Sequence, residues 1–340
     1  MSQTKLHFVK TITTHRRLRR NRIKDWIRRL IREHRLSVDD LILPLFIIDG
    51  VGIEEPIPSM PGISRYSIDK ALEVVYQAAD LNIPAVTPFP NISLELKDEK
   101  GSEVTNPDNL ICRFTSKVKN LNLNIGIITD AALDPFTNHG HDGILRNGII
   151  VNDESVKQIV KGAVIQAQAG ADIIAPSDMM DGRIGAIRKA LDANGFQNVG
   201  IISYAAKYAS AFYGPYRQAI GTEGLLQGDK KTYYIDPANT EDAMREAKLD
   251  IEEGADMLMV KPGMPYLDIV WRMKSTFHMP VSVYQVSGEY VMIKNITENR
   301  FIDENSAMLE SLIAFKRAGA DNIFTYFALK AARLLYQEDR

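Results

Sequence analysis

Short runs of Ile, Val and Leu recur along the chain, separated by longer stretches in which apolar positions follow helical spacing. The runs predict strands at 41–48 (LILPLFII), 83–89 (IPAVTPF), 123–130 (LNIGIITD), 172–177 (DIIAPS), 199–207 (VGIISYAAK), 257–261 (MLMVK), 281–287 (VSVYQVS) and 322–328 (NIFTYFA). They are continuous rather than alternating, which suits parallel strands covered on both faces. Eight such strands with helices between them predict an α/β fold, a (β/α)8 TIM barrel. Gly-Ala-Asp stands before three of the strands, at 170–172, 254–256 and 319–321, each time after a helical pattern. Glycine there fits the left-handed residue that ends a helix before the chain turns into the sheet. A doubly wound sheet is the alternative, but no Gly-rich turn of the dinucleotide-binding kind follows an early strand.

The segment 15–35 (HRRLRRNRIKDWIRRLIREHR) has a different character. Ile23, Trp26, Ile27, Leu30 and Ile31 form an apolar stripe on a predicted helix crowded with arginine. Such a helix could meet RNA or an anionic membrane, serve as a presequence, or pack as an arm on its own domain or a neighbouring subunit. Asp25 and Glu33 interrupt the positive charge and favour the arm. We therefore divide the chain into an N-terminal extended arm, 1–38, and a barrel domain, 39–340.

Composition adds exclusions. With 340 residues, 45% apolar and 25% charged, the chain is long enough for one large domain. A net charge of −2 gives no global reason to expect nucleic acid. The single cysteine, Cys112, cannot form an intrachain disulfide or a thiolate cluster, which suits a reducing cytoplasm. No stretch approaches the roughly 20 apolar residues of a membrane span, so a soluble protein without membrane partners is expected.

In a barrel the C-terminal strand ends surround the active site. Here those ends deliver Asp130, Ser177 and Asp178, Lys207, Lys261, Ser287 and Tyr326. A lone Ser or Asp at such a position is ordinarily a turn or capping residue. Two lysines converging on one mouth are different, because desolvation and mutual repulsion both favour the neutral amine. A neutral lysine amine attacks ketones and forms a Schiff base, an electron sink for carbon–carbon bond formation. Lysines that snorkel to solvent, or pair with Asp130 or Asp178, are the alternative. Pattern alone thus points to a lysine-dependent aldolase or dehydratase.

The strand ends carry the longer motifs APSDMMDGR (175–183), Lys207 followed by FYGPYR (212–217), MVKPGMPYLD (259–268) and YQVSGE (284–289). In this order, over nearly the whole chain, they resemble the motifs of the 5-aminolevulinate dehydratase (porphobilinogen synthase) family. The resemblance implies a hydro-lyase that condenses two 5-aminolevulinate molecules to porphobilinogen, with loss of two waters, early in tetrapyrrole (haem) biosynthesis. It implies that Lys261 holds the substrate supplying the acetyl side chain and Lys207 the one supplying the propionyl side. Arg217 and Lys230 match the pair gripping one substrate carboxylate, and Ser287 and Tyr326 the hydroxyls binding the other. Lys230 departs from the arginine of many members, which keeps the charge and loses the bidentate fork. Its loop, 227–231, is expected to fold over the mouth. Asp130 is expected to bind substrate by orienting an amino group, or to orient Lys207, and Ser177 is expected among the substrate-binding residues.

Zinc-dependent members carry three cysteines in the segment here written DAALDPFTNHGHDG (130–143), where this chain has Ala132, Asp134 and Asp142. A catalytic thiolate zinc site is therefore not expected. Asp134 and Asp142 suit Mg2+ or no metal at all, and His139 and His141 suit hydrogen bonding better than ligation. Glu246 matches the residue associated with an allosteric Mg2+ in bacterial members, and a monovalent cation is a further expectation. The family's arm wraps a neighbouring barrel and builds dimers into a homo-octamer, which makes a nucleic-acid role for 15–35 unnecessary.

Overall fold

The computed structural model describes residues 16–298 and 301–338, so residues 1–15 of the expected arm lie outside the described residues. The chain divides after Arg35 into two compact units. In the first, the single helix expected over 15–35 is two short pieces, a 3-10 turn at Leu18–Arg22 and a helix at Asp25–Leu30. Asp25 explains the restart, since it opens the second piece and pairs with Arg28 and Arg29 at 3.2 and 2.9 Å. Leu18, Ile23, Trp26 and Leu30 are all more than half exposed.

The second unit is a closed parallel barrel. Its strands are β1 Leu41–Ile48, β2 Ala85–Asn91, β3 Gly126–Thr129, β4 Ile173–Ile174, β5 Gly200–Lys207, β6 Met257–Lys261, β7 Val281–Gln285 and β8 Asn322–Thr325. Each pairs with the next, and β8 closes on β1 through Leu41↔Ile323 and Ile42↔Phe324. The helices that cover it are α1 Ile68–Asp80, α2 Leu110–Lys119, α3 Asn152–Gln168, α4 Arg183–Ala193, α5 Glu241–Glu252, α6 Leu267–Phe277, α7 Glu304–Ala318 and α8 Ala328–Glu338. All eight predicted strands are present. The differences lie at their ends: β3 and β4 are shorter than expected, and Ser287 starts an extra helix, Ser287–Glu298, instead of ending β7. Two short strands, Glu54–Pro56 and Ser64–Ser67, extend the sheet beside β1.

Amphipathic spacing sets the helix faces, as in α1, where Ile68, Ala71, Val75 and Ala78 are buried. Side-chain caps fix the starts: Asn109 accepts from the N–H groups of Ile111 and Cys112, and Asp303 from that of Ser306. The Gly-Ala-Asp echo has a mechanical meaning. Gly170, Gly254 and Gly319 have φ of +106°, +104° and +107° and end their helices as expected. The aspartate two residues after each one accepts an N–H from the first or second residue of the preceding barrel strand: Asp172 from Ile127, Asp256 from Ile201 and Asp321 from Val281, at 2.7–2.9 Å. One tripeptide thus ends a helix and ties the strand it enters to its neighbour, three times around the barrel floor.

Asp256 lies far along its strand from the site described below. Asp256→Ala removes the acceptor for Ile201 N–H and is expected to cost about 1–3 kcal/mol. A thermal melt should show the loss with kcat unchanged; an unaltered melting temperature would contradict the strand-tie role.

Candidate active site

The two lysines are neighbours by strand register. Lys261 and Lys207 are direct partners across β6 and β5, and the pairing slips by one residue between Leu258 and Val260. Leu258 faces Ser203, yet Val260 faces Ala206, so β5 contains one residue more than β6 over this stretch. Without the slip Lys261 would face Ala206, because a one-residue shift exchanges the two faces of a strand. The irregularity therefore sets the two amines side by side at the barrel mouth.

Their surroundings differ. Lys207 Nζ donates to the main-chain oxygen of Ser177 and lies 3.8 Å from Asp142 Oδ1 and 4.4 Å from the Tyr234 ring centre. Ser177 is held by Asp130, which accepts from its N–H at 3.1 Å and from its hydroxyl at 2.6 Å. Asp130 thus acts on Lys207 through Ser177. Lys261 Nζ has no hydrogen-bond or ion-pair partner among the described residues; the rings of Tyr284, Tyr204, Tyr216 and Tyr213 surround it at 4.4–5.7 Å. Burial, together with the charge of Lys207, pushes its amine down to about 7.

The carboxylates divide the remaining charge. Asp142 is fully buried; its Oδ1 accepts from Lys230 Nζ at 3.1 Å and its Oδ2 from Tyr234 at 2.6 Å. Burial alone would raise its pKa, but the ammonium groups of Lys207 and Lys230 hold it well below the usual carboxylate range. Asp134 moves the other way, pushed up to about 6 by burial and by Asp142, with its Oδ1 lacking any partner. Lys230 lies between the two, 3.6 Å from Asp134 Oδ2. Burial opposes its charge, and the two carboxylates outweigh burial to raise its pKa.

One pocket is lined by Lys207, Lys261, Ser177, Arg217, Lys230 and Asp134, so most of the expected site residues converge. Ser287 and Tyr326 do not line this pocket; each contacts a tyrosine whose ring packs around Lys261. Ser287 Oγ accepts from Tyr216 N–H at 2.9 Å, and the Tyr326 hydroxyl lies 3.3 Å from that of Tyr284. The loop after Thr222 closes one side, since Leu226 and Tyr234 also line the pocket. It is pinned by His139 O, which accepts from Gln227 N–H at 3.2 Å, and by His141 Nε2, 2.7 Å from Gln227 O. His139 Nε2 lies 3.1 Å from Glu99 O, so both imidazoles are engaged with main-chain groups rather than facing a common ligand. Gly140, at φ +72°, lets Leu226 approach; a Cβ there would stand 3.2 Å from its backbone.

Sequence reasoning gave no role to the five tyrosines that wall the amines. Tyr213 and Tyr216 lie inside a motif read for Arg217, and Tyr204 reads as ordinary strand filling. Glu246 is elsewhere, in a pocket with Asp181, Asp236 and Asp242. Burial pushes it up to about 6 against the opposing charge of Arg183, and Asp250 and Asp181 add to the rise.

Two amines in register at the mouth of a parallel barrel, one unpaired and one hydrogen-bonded, define a lysine-bearing barrel lyase. A family model described as delta-aminolevulinic acid dehydratase matches residues 15–334. The chain is 56% identical over 319 residues to the delta-aminolevulinic acid dehydratase of Bradyrhizobium diazoefficiens, covering 94% of this chain and 90% of that one. It is 50% identical to the enzyme of that name from Rhodobacter capsulatus, covering 94% and 96%. The crystal structure of Toxoplasma gondii delta-aminolevulinic acid dehydratase (porphobilinogen synthase) with its product porphobilinogen matches with a TM-score of 0.93 at 44% identity, covering 96% and 93%. The chain belongs to the delta-aminolevulinic acid dehydratase family.

Removing either carboxylate should have unequal effects. Asp142→Asn leaves two buried ammonium groups without their shared partner and is expected to cost about 3–5 kcal/mol at neutral pH. Folding lowers the pKa of Asp142, so its contribution is present above about pH 4 and fades as pH falls further. Asp134→Asn should cost less than half as much; equal losses in melting temperature at pH 8 would contradict this division of charge.

Proposed function

We propose that this protein is a porphobilinogen synthase that condenses two 5-aminolevulinate molecules with loss of two waters. The observation that carries the reading is the unpaired Lys261 amine beside Lys207. With its pKa near 7, a large fraction of Lys261 is neutral at physiological pH and can attack the substrate ketone directly. Its attack expels one water and leaves a Schiff base whose neighbouring carbon loses a proton readily. Lys207, tied through Ser177 to Asp130, holds the second substrate by the same chemistry. Arg217 and Lys230 neutralise one substrate carboxylate, and Ser287 and Tyr326 bind the other. Asp134, poised near 6, is suited to exchange protons in the later steps.

The donor set does not suit a metal at Asp134 and Asp142. The ammonium of Lys230 already lies between the two carboxylates and supplies the cation there. No step is assigned to a metal there. Glu246, with Asp181, Asp236 and Asp242 around one pocket, suits a hydrated Mg2+, which keeps most of its waters and needs one or two carboxylates. Mg2+ there would supply positive charge to an acidic wall remote from the lysines, as an allosteric ligand. The exposed apolar residues of the arm support assembly into a homo-octamer built from dimers, which would cover them. Among the described residues no helix is long and apolar enough to cross a membrane. The lone, buried Cys112 is our ground for placing the activity in the cytoplasm.

The purified protein should form porphobilinogen from 5-aminolevulinate, and cyanoborohydride with substrate should trap adducts on both Lys261 and Lys207, mapped by peptide mass spectrometry. Trapping at Lys261 should fall about tenfold per pH unit below about 7, because protonation removes the nucleophile. Folded wild-type protein that yields no adduct sinks the Schiff-base reading. After exhaustive chelation, activity should persist and rise on adding Mg2+, with that rise lost in Glu246→Ala; rescue by Zn2+ alone would contradict the metal assignment.

A further inference from the structure

The turn that follows Lys261 is fixed by a group that the chemistry above leaves unused. Glu289 is fully buried at the third position of the helix Ser287–Glu298. Among the described residues its hydrogen-bond partners are three main-chain N–H groups and no basic side chain. Oε2 accepts from Val286 at 2.6 Å and from Gly263 at 3.4 Å, and Oε1 accepts from Met264. Burial outweighs these donors and pushes the carboxyl up to about 7, so its placement is costly.

Helix capping explains only part of this. The bond from Val286 N–H is the back-reaching half of a capping box, a task glutamine performs as well as glutamate. The bonds to Gly263 and Met264 reach another strand's loop and cap nothing. That loop lies flush against the barrel wall: a Cβ on Gly263 would meet Val283 Cγ1 at 2.5 Å and Phe315 Cε1 at 2.6 Å. From the opposite side, Lys261 O accepts from Tyr208 N–H at 3.0 Å and from the Tyr213 hydroxyl at 3.1 Å. The main chain at Lys261 is therefore gripped from the β5 side by tyrosines and from the β7 side by Glu289.

We propose that Glu289 is a positioning residue for Lys261: its carboxylate ties the turn after the amine to the start of the helix that presents Ser287. The groups that hold the two substrates, an amine on one element and a hydroxyl on the next, thereby keep a fixed spacing while a bond forms between those substrates. The inference rests on the Schiff-base reading of Lys261.

Glu289→Gln separates the clamp from the cap. It keeps size and capping ability but sets an amide NH2 against one of the donors that both carboxylate oxygens now serve. Trapping with 5-aminolevulinate and cyanoborohydride should slow about tenfold or more at Lys261, the scale of a slightly misplaced reacting group. It should stay within about twofold at Lys207, and kcat/KM for porphobilinogen formation should fall in step with Lys261. Wild-type trapping at both lysines, or equal loss at both, overturns the proposal. Wild-type amide hydrogen exchange gives a second reading that needs no variant. Gly263 and Met264 should exchange as slowly as the core of β6, and exchange at loop rates overturns the clamp. A wild-type protein with no adduct at Lys261 fails the Schiff-base reading, whereas a wild-type adduct with an indifferent Glu289→Gln fails only this inference.

Discussion

Two ammonium groups cannot share a buried mouth without consequence, and the site follows from how that conflict is resolved. The register slip in β5 places Lys207 opposite Lys261, and carboxylate is then supplied to one side only. Asp142 lies within 3.8 Å of Lys207 and 3.1 Å of Lys230, while Lys261 faces tyrosine rings. The ring faces offer a weak attraction to a cation but no proton acceptor of comparable strength. The result is one amine, Lys261, stripped toward neutrality and another, Lys230, held charged, within a single pocket.

The same logic extends outward. Asp130 acts at one remove, holding Ser177 so that its carbonyl meets Lys207. The Gly-Ala-Asp ties on the barrel floor fix strand against strand, which matters because a one-residue error in pairing would separate the lysines. The His141 ring is spent on pinning the loop that bears Lys230, and the His139 ring on the main chain of Glu99. In each case a polar side chain is satisfied by main-chain groups, and the chemically free groups are those facing the pocket.

Much of this was legible in the chain. Continuous apolar runs located all eight strands, because burial on both faces leaves no polar alternation, and strand-end polarity pointed to Lys207, Lys261, Ser177 and Asp130. The family motifs added Arg217, Lys230, Ser287 and Tyr326, whose carboxylate-binding roles are inferred from that likeness. Other features were hidden for physical reasons. The register slip is a property of pairing, invisible in either strand alone. Tyr204, Tyr213, Tyr216, Tyr234 and Tyr284 read as ordinary apolar positions, since periodicity does not distinguish a ring that fills a core from one that faces an amine. Ser287 opens a helix where a strand was expected, because Glu289 is available to cap it. The arm breaks at Asp25, whose ion pairs favour a new start over one continuous helix.

The central claim is that the Lys261 amine is shifted toward neutrality because it is buried, unpaired and next to Lys207. Competitive acylation of the folded wild-type protein with a trace reagent, followed from pH 6 to 10 and read lysine by lysine by mass spectrometry, measures this directly. Lys261 should titrate near 7, far below the 10.5 of an ordinary lysine. A midpoint close to 10.5 would contradict the account.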